Sequence, residues 1–179
     1  MFSKIGEFFF FIFALFASIF DMATSGKDYH VYTTEERIEM VEENLDDYEA
    51  LSEYVLEYTT DGAALDSVFI YDIERNTGVK FPEIDKMIND RICVYNKNGN
   101  TYIKYDYISG TEGYSSSGVY YTEEEIYMTP ASGTECVYDE DTDKHICYFN
   151  ASSVEVYKIT DHWYFYQTAY YDDAGFSRE

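Results

Sequence analysis

The chain has 179 residues, 46% of them apolar, and a formal charge of −23, which fits one folded domain with a short appendage and not a disordered acidic tail. Acid in such excess excludes a nucleic-acid surface, because phosphate binding needs clustered Lys and Arg. The 21 Tyr and 13 Phe beside one Trp and two Pro point to β-structure, where aromatic side chains suit a half-buried pleated surface; a row of exposed tyrosines could also stack on sugars or peptides.

Phe8 to Phe20 reads FFFFIFALFASIF, without a charge, after Lys4 and between Glu7 and Asp21. Its length matches the apolar region of a secretory signal peptide better than a full span, which needs about 20 residues. Ala23-Thr24-Ser25 is a poor cleavage triplet, however, crowded by Asp21 and Met22. An uncleaved signal anchor from Ile5 to Ala23 is the preferred reading, and a cleaved, secreted form the alternative. Lys4 and the amino terminus favour a cytoplasmic N-terminal side, with the acidic bulk outside the cell membrane. The expected organisation is a signal anchor or signal peptide over 1–25, a linker over 26–32, an acidic extracytoplasmic domain over 33–172 and a tail over 173–179.

Thr33-Thr34-Glu35-Glu36 is a capping box, and Ile38, Val41, Leu45, Tyr48, Leu51, Val55 and Tyr58 recur at helical spacing. A long amphipathic helix is expected there. Its opposite face gathers Glu35, Glu36, Glu39, Glu42, Glu43, Asp46, Asp47, Glu49, Glu53 and Glu57 with Arg37 as the lone cation. Like charges at i, i+4 repel, so packing must hold this helix. Glu35, Glu39, Glu42, Glu43, Asp46, Glu49 and Glu53 form a candidate partner-binding face, against the bland alternative of a solvated surface.

Ser67 to Ile73 reads as a strand or a helix extension, and Asn76-Thr77-Gly78 as a turn. Pro82 opens a short second helix carrying Ile84, Met87 and Ile88. Strands then follow at Ile92–Tyr95 and Thr101–Tyr107 around the hairpin signal Asn98-Gly99, and at 118–122, 135–138, 146–149, 154–159 and 163–170. Helices before a run of strands argue for an α+β fold, the long N-terminal helix and the short second one packed on one face of an antiparallel sheet, preceded by the hydrophobic N-terminal segment.

Gly118-Val119-Tyr120-Tyr121-Thr122 followed by acids, with Ile159-Thr160-Asp161-His162-Trp163-Tyr164-Phe165-Tyr166 near the C-terminus, resembles a group of small proteins of Gram-positive bacteria. These have a hydrophobic N-terminus, a G-[FIV]-Y-Y-[ST] strand and a closing strand like D-N-W-Y-Y-Y. The resemblance spans about Pro82 to Tyr170. This chain departs from it in His162, where the pattern has Asn, and in an extended acidic hairpin. The group has no assigned activity, so the resemblance implies an anchored surface domain and transfers no site.

Asp139, Asp141 and Asp143 have the alternate spacing of a calcium loop, but Lys144 and Asn150 stand where such a loop needs Gly and Glu. The scattered histidines and cysteines make no metal pattern, and no nucleophile, phosphate or dinucleotide motif is present. The expectation is no enzyme, no metal and no cofactor. Cys136 and Cys147 are equidistant from the expected turn centre Asp141-Thr142, so they would oppose each other as a hydrogen-bonded strand pair able to form a disulfide, leaving Cys93 unpaired. The function expected is a membrane-anchored extracytoplasmic binding module for an unknown protein or cell-wall ligand; the alternative is an acidic immunity or inhibitor protein that neutralises a basic toxin or enzyme.

Overall fold

A computed structural model describes residues 30–59, 65–97, 100–108, 111–129 and 132–170. The Phe8–Phe20 segment and the expected tail lie outside them. Among the described residues no helix is long and apolar enough to cross a membrane.

The capping box forms: Thr33 Oγ1 accepts the Glu36 amide at 3.2 Å, and the Glu36 carboxylate accepts the Thr33 amide at 2.8 Å. The helix it starts is not continuous. It divides into α1 (Thr34–Glu43) and α2 (Leu45–Tyr58) at Asn44, whose φ and ψ are −116° and 20°. The Asn44 side chain donates to the Met40 carbonyl at 2.8 Å, while its amide turns to Val41. A short polar side chain thereby competes with the backbone for the i−4 carbonyl and interrupts the helix.

The buried face of the pair carries Val41, Tyr48, Leu51 and Val55, as the spacing requires, with Ile38 and Leu45 half-buried beside them, and also Arg37 and Ser52; Tyr58, expected on the same stripe, is exposed at the last turn of the helix. Arg37 is therefore corrected from the outer face to the inner one. It lies one turn before Val41, the position that belongs to the buried stripe. Tyr32, at the end of the stretch expected to be a linker, bridges Thr111 and accepts the Glu112 amide.

The ambiguous segment resolves into both of its readings, strand β1 (Leu65–Phe69) and then helix α3 (Ile70–Thr77). Gly78 ends α3 with φ 76°, the left-handed cap that glycine adopts without steric cost. Helix α4 (Pro82–Met87) begins on its proline. Seven strands follow: β2 (Arg91–Lys97), β3 (Asn100–Asp106), β4 (Ser116–Thr122), β5 (Val137–Asp139), β6 (Lys144–Tyr148), β7 (Ser152–Thr160) and β8 (Trp163–Tyr170). The eight strands form one antiparallel sheet in the order β1-β2-β3-β4-β8-β7-β6-β5. The fold class is α+β.

Alternation along each strand builds two cores. On the first face Ile92, Val94, Ile103, Tyr105, Val119, Trp163 and Phe165 pack with the apolar stripe of α1 and α2. On the second, Tyr102, Tyr120, Tyr164, Tyr166, Val154 and Val156 pack with Met128, Cys136 and Cys147. Among the described residues, no helix contributes to the second core. The chain between β4 and β5 folds back over it, and Tyr120 clamps that segment by accepting the Met128 amide at 3.2 Å and donating to the Ile126 carbonyl at 3.3 Å.

Candidate functional site

All seven residues of the expected partner face, Glu35, Glu39, Glu42, Glu43, Asp46, Glu49 and Glu53, are exposed, as are Glu36, Asp47 and Glu57. The cation expected among them is elsewhere. Arg37 is 1% exposed, its guanidinium carbon 4.1 Å from the Tyr32 ring centre and 4.4 Å from that of Tyr107. Two ring faces attract the charge from either side where water cannot screen it. The outer helix surface is thus acidic from Glu35 to Glu53, with Leu56 and Tyr58 exposed beside Glu57 at its C-terminal end.

Beside α1, Glu155 is a second polar centre. One of its oxygens accepts from Tyr157 at 2.6 Å, Tyr114 at 2.7 Å, Gln167 at 2.9 Å and Lys144 at 3.0 Å. Gln167 in turn accepts from Thr34 at 3.0 Å, tying the first residue of α1 to strand β8. Burial raises the Glu155 carboxyl, but these donors outweigh it and hold it below the usual range. The arrangement joins strands β6, β7 and β8 to the helix layer, and it is structural.

The second face carries a chain of rings. Tyr138 lies 5.3 Å from His145, His145 is stacked on Tyr127 at 3.5 Å, Tyr127 meets Tyr164 edge-on at 5.4 Å, and Tyr164 stacks on Tyr120 at 5.0 Å. Tyr166 ends the row, its hydroxyl bonded to Asp106, which also pairs with Lys104 at 2.8 Å. Burial, then the Asp106 charge, pushes the Tyr166 hydroxyl well above its ordinary value, so it stays a donor. At the outer end of the row opens a cleft of about 480 Å³, lined among others by Glu125, Tyr127, Glu135, Tyr138 and His145. Burial lowers the His145 pKa and favours a neutral ring there.

Cys136 and Cys147 are joined by a disulfide beneath this cleft, with Cα atoms 4.5 Å apart. That spacing belongs to a non-hydrogen-bonded strand pair and corrects the hydrogen-bonded pairing expected. The Cys136 amide points outward to the Tyr127 carbonyl at 2.8 Å, so it is not available to Cys147. Cys93 is the free thiol, half-buried on β2. Of the acids in the hairpin tip, Asp139 accepts from the Asp141 amide at 3.0 Å and from the Tyr148 hydroxyl at 3.0 Å, and Asp143 from the Tyr138 hydroxyl. The hairpin's own donors use these carboxylates, and among the described residues no group of three or more His, Cys, Asp or Glu could hold a metal.

Sequence reasoning missed the cleft and the second core. Signals were present: Tyr120, Tyr164 and Tyr166 alternate with Val119, Trp163 and Phe165 on their strands, so two large faces had to be covered. Comparisons with protein-family models, with curated proteins and with solved structures found no match. The chemistry of the surface alone therefore carries the functional reading.

Proposed function

We propose that the chain is an extracytoplasmic binding module, held at the cell membrane by Phe8–Phe20, whose partner is a basic protein. The observation that carries this reading is the acidic outer surface of α1 and α2, from which Arg37, the one cation in the sequence of these two helices, is withdrawn into the core. Ten carboxylates left on one face cost helix stability through repulsion between neighbours at i, i+4. A basic partner relieves that repulsion and is drawn in by the field. The resemblance to anchored bacterial surface proteins supports the location, and an immunity or inhibitor protein is the special case in which the basic partner is a toxin or enzyme.

The test is a partner recovered from intact cells by photo-crosslinking from position 42. Its association rate should fall steeply as salt rises past a Debye length of about 10 Å, and the double variant Glu42→Lys, Asp46→Lys should bind it at least tenfold more weakly while unfolding no more easily. Equal affinity and an equal salt slope in the double variant would sink the proposal. For the location, protease added to intact spheroplasts should degrade the domain; protection until lysis would reverse the orientation.

A further inference from the structure

The cleft at the end of the aromatic row lies away from α1 and α2, between segment 125–127 and the β5–β6 hairpin. Its 480 Å³ falls within the ~300–1,000 Å³ usual for small-ligand sites. Three of its lining side chains, Tyr127, Tyr138 and His145, are aromatic rings already held in place. Tyr127 is fixed between the face of His145 and the edge of Tyr164, and the Tyr138 hydroxyl is bonded to Asp143. Rings ordered in advance lose little freedom when a ligand arrives.

Two carboxylates stand at the rim, and they differ. Glu125 is engaged by Lys158 at 3.2 Å. Glu135 is exposed to solvent and meets no donor among the described residues, so its carboxylate is open to a ligand. An anion would face both acids, and an apolar ligand would desolvate Glu135 without compensating it. A planar organic cation satisfies both requirements, since a guanidinium stacks on aromatic faces and donates two parallel hydrogen bonds to one carboxylate. The domain already holds Arg37 between two tyrosine rings by the same attraction.

We infer that this cleft receives an arginine side chain of the basic partner, its guanidinium against the exposed ring of Tyr138 and paired with Glu135. The inference rests on the binding-module reading above and moves the partner's anchoring contact from the helix face to the hairpin. The helix charges then steer the encounter, while the cleft sets how long the complex lasts.

The probe is acetylated, amidated arginine, titrated into the full chain in nonionic detergent and followed by NMR at the ring signals of Tyr127, Tyr138 and His145. The citrulline analogue has nearly the same shape without the charge. Saturable shifts at these rings are expected with arginine, and binding at least tenfold weaker with citrulline. Glu135→Gln and Tyr138→Leu should each weaken arginine binding at least fivefold, whereas Glu42→Lys should change it less than twofold. Tyr138 is exposed, so its loss leaves the cores intact, which unchanged signals from Trp163 and Ile103 would verify.

Equal binding of the two probes, shifts confined to the helix face, or full affinity in Glu135→Gln would each overturn the inference. If the cleft variants keep the crosslinked partner while the helix variant loses it, the cleft inference falls and the binding-module reading stands. A partner indifferent to helix charge and to salt removes that reading whatever the cleft does.

Discussion

Gly118 shows how one residue permits a contact across three strands. A Cβ there would lie 2.1 Å from the Tyr105 carbonyl oxygen and 2.7 Å from the Tyr166 hydroxyl. Tyr166 sits opposite Gly118 on β8 and passes over it to reach Asp106, the residue paired with Gly118 on β3. Gly→Ala usually stabilises a chain slightly through the unfolded state, but here Gly118→Ala should cost about 2–3 kcal/mol by overpacking. Urea unfolding checks this; a variant as stable as wild type would mean that the strands part easily and that the glycine has another cause. Position 162 has a comparable backbone demand: His162 adopts φ 69° in the two-residue turn between β7 and β8, a conformation that Asn, the residue of the resembling pattern, takes more readily. Glu155 supplies a pH-dependent term. Its folded pKa lies below the unfolded one, so its stabilisation is full above the ordinary carboxylate range and is lost as pH falls through the depressed folded value. The stability gap between wild type and Glu155→Gln should therefore be widest near neutrality and shrink towards pH ~3; a gap constant across urea titrations from neutral to acid would refute the role of charge.

Among the elements, the α1–α2 pair and the β5–β6 hairpin depend on opposite means of support. The helix pair repels itself along its outer face and is held by its buried stripe, with Tyr48 against Tyr105 at 5.4 Å and Trp163 at 5.5 Å, and with Ser52 bonded to the Tyr105 hydroxyl at 2.7 Å. The hairpin lies at the sheet edge with Val137, Tyr138 and Tyr148 exposed, so little apolar packing fixes it. A covalent link does that instead. The Cys136–Cys147 bridge closes a separation of 11 residues, and a loop of that size constrains the unfolded chain by about 2–3 kcal/mol. Cys136→Ser with Cys147→Ser should lower the unfolding midpoint accordingly and increase amide exchange in β5 before β8. Thiol counting on denatured, unreduced protein should find one free thiol, Cys93; three would rule the bridge out.

At the scale of the whole molecule, the net charge of −23 opposes compaction, because every carboxylate added to a folded surface raises the potential at the others. Salt screens this repulsion, the Debye length falling from ~30 Å at about 0.01 M to ~8 Å at about 0.15 M. The unfolding midpoint of the full chain should rise over that interval. A midpoint that falls would show that the ion pairs, such as Lys104–Asp106 and Lys144–Glu155, outweigh the repulsion. The fold tolerates the charge by keeping its densest runs, on α1–α2 and at the hairpin tip, exposed to solvent, while two cores rich in aromatic residues lie on the faces of a single sheet.

Local pattern was enough for the capping box, the buried stripe from Val41 to Val55, the proline start of α4 and the strand pairs around Asn98-Gly99 and Asp141-Thr142, because each depends on residues within a few positions of one another. The α+β class followed from their order. What periodicity left open was decided by contacts distant in sequence. Arg37 turns inward because Tyr107, far along the chain, supplies the second face of its cage. The β4–β5 segment lies down on the sheet because Tyr120 and Tyr164 offer it an apolar floor and a hydrogen bond. The cleft exists because that segment and the hairpin are brought side by side, with Cys136 bonded through its amide to Tyr127. A one-dimensional pattern shows which side chains must be buried, but only the packed sheet determines what they are buried against.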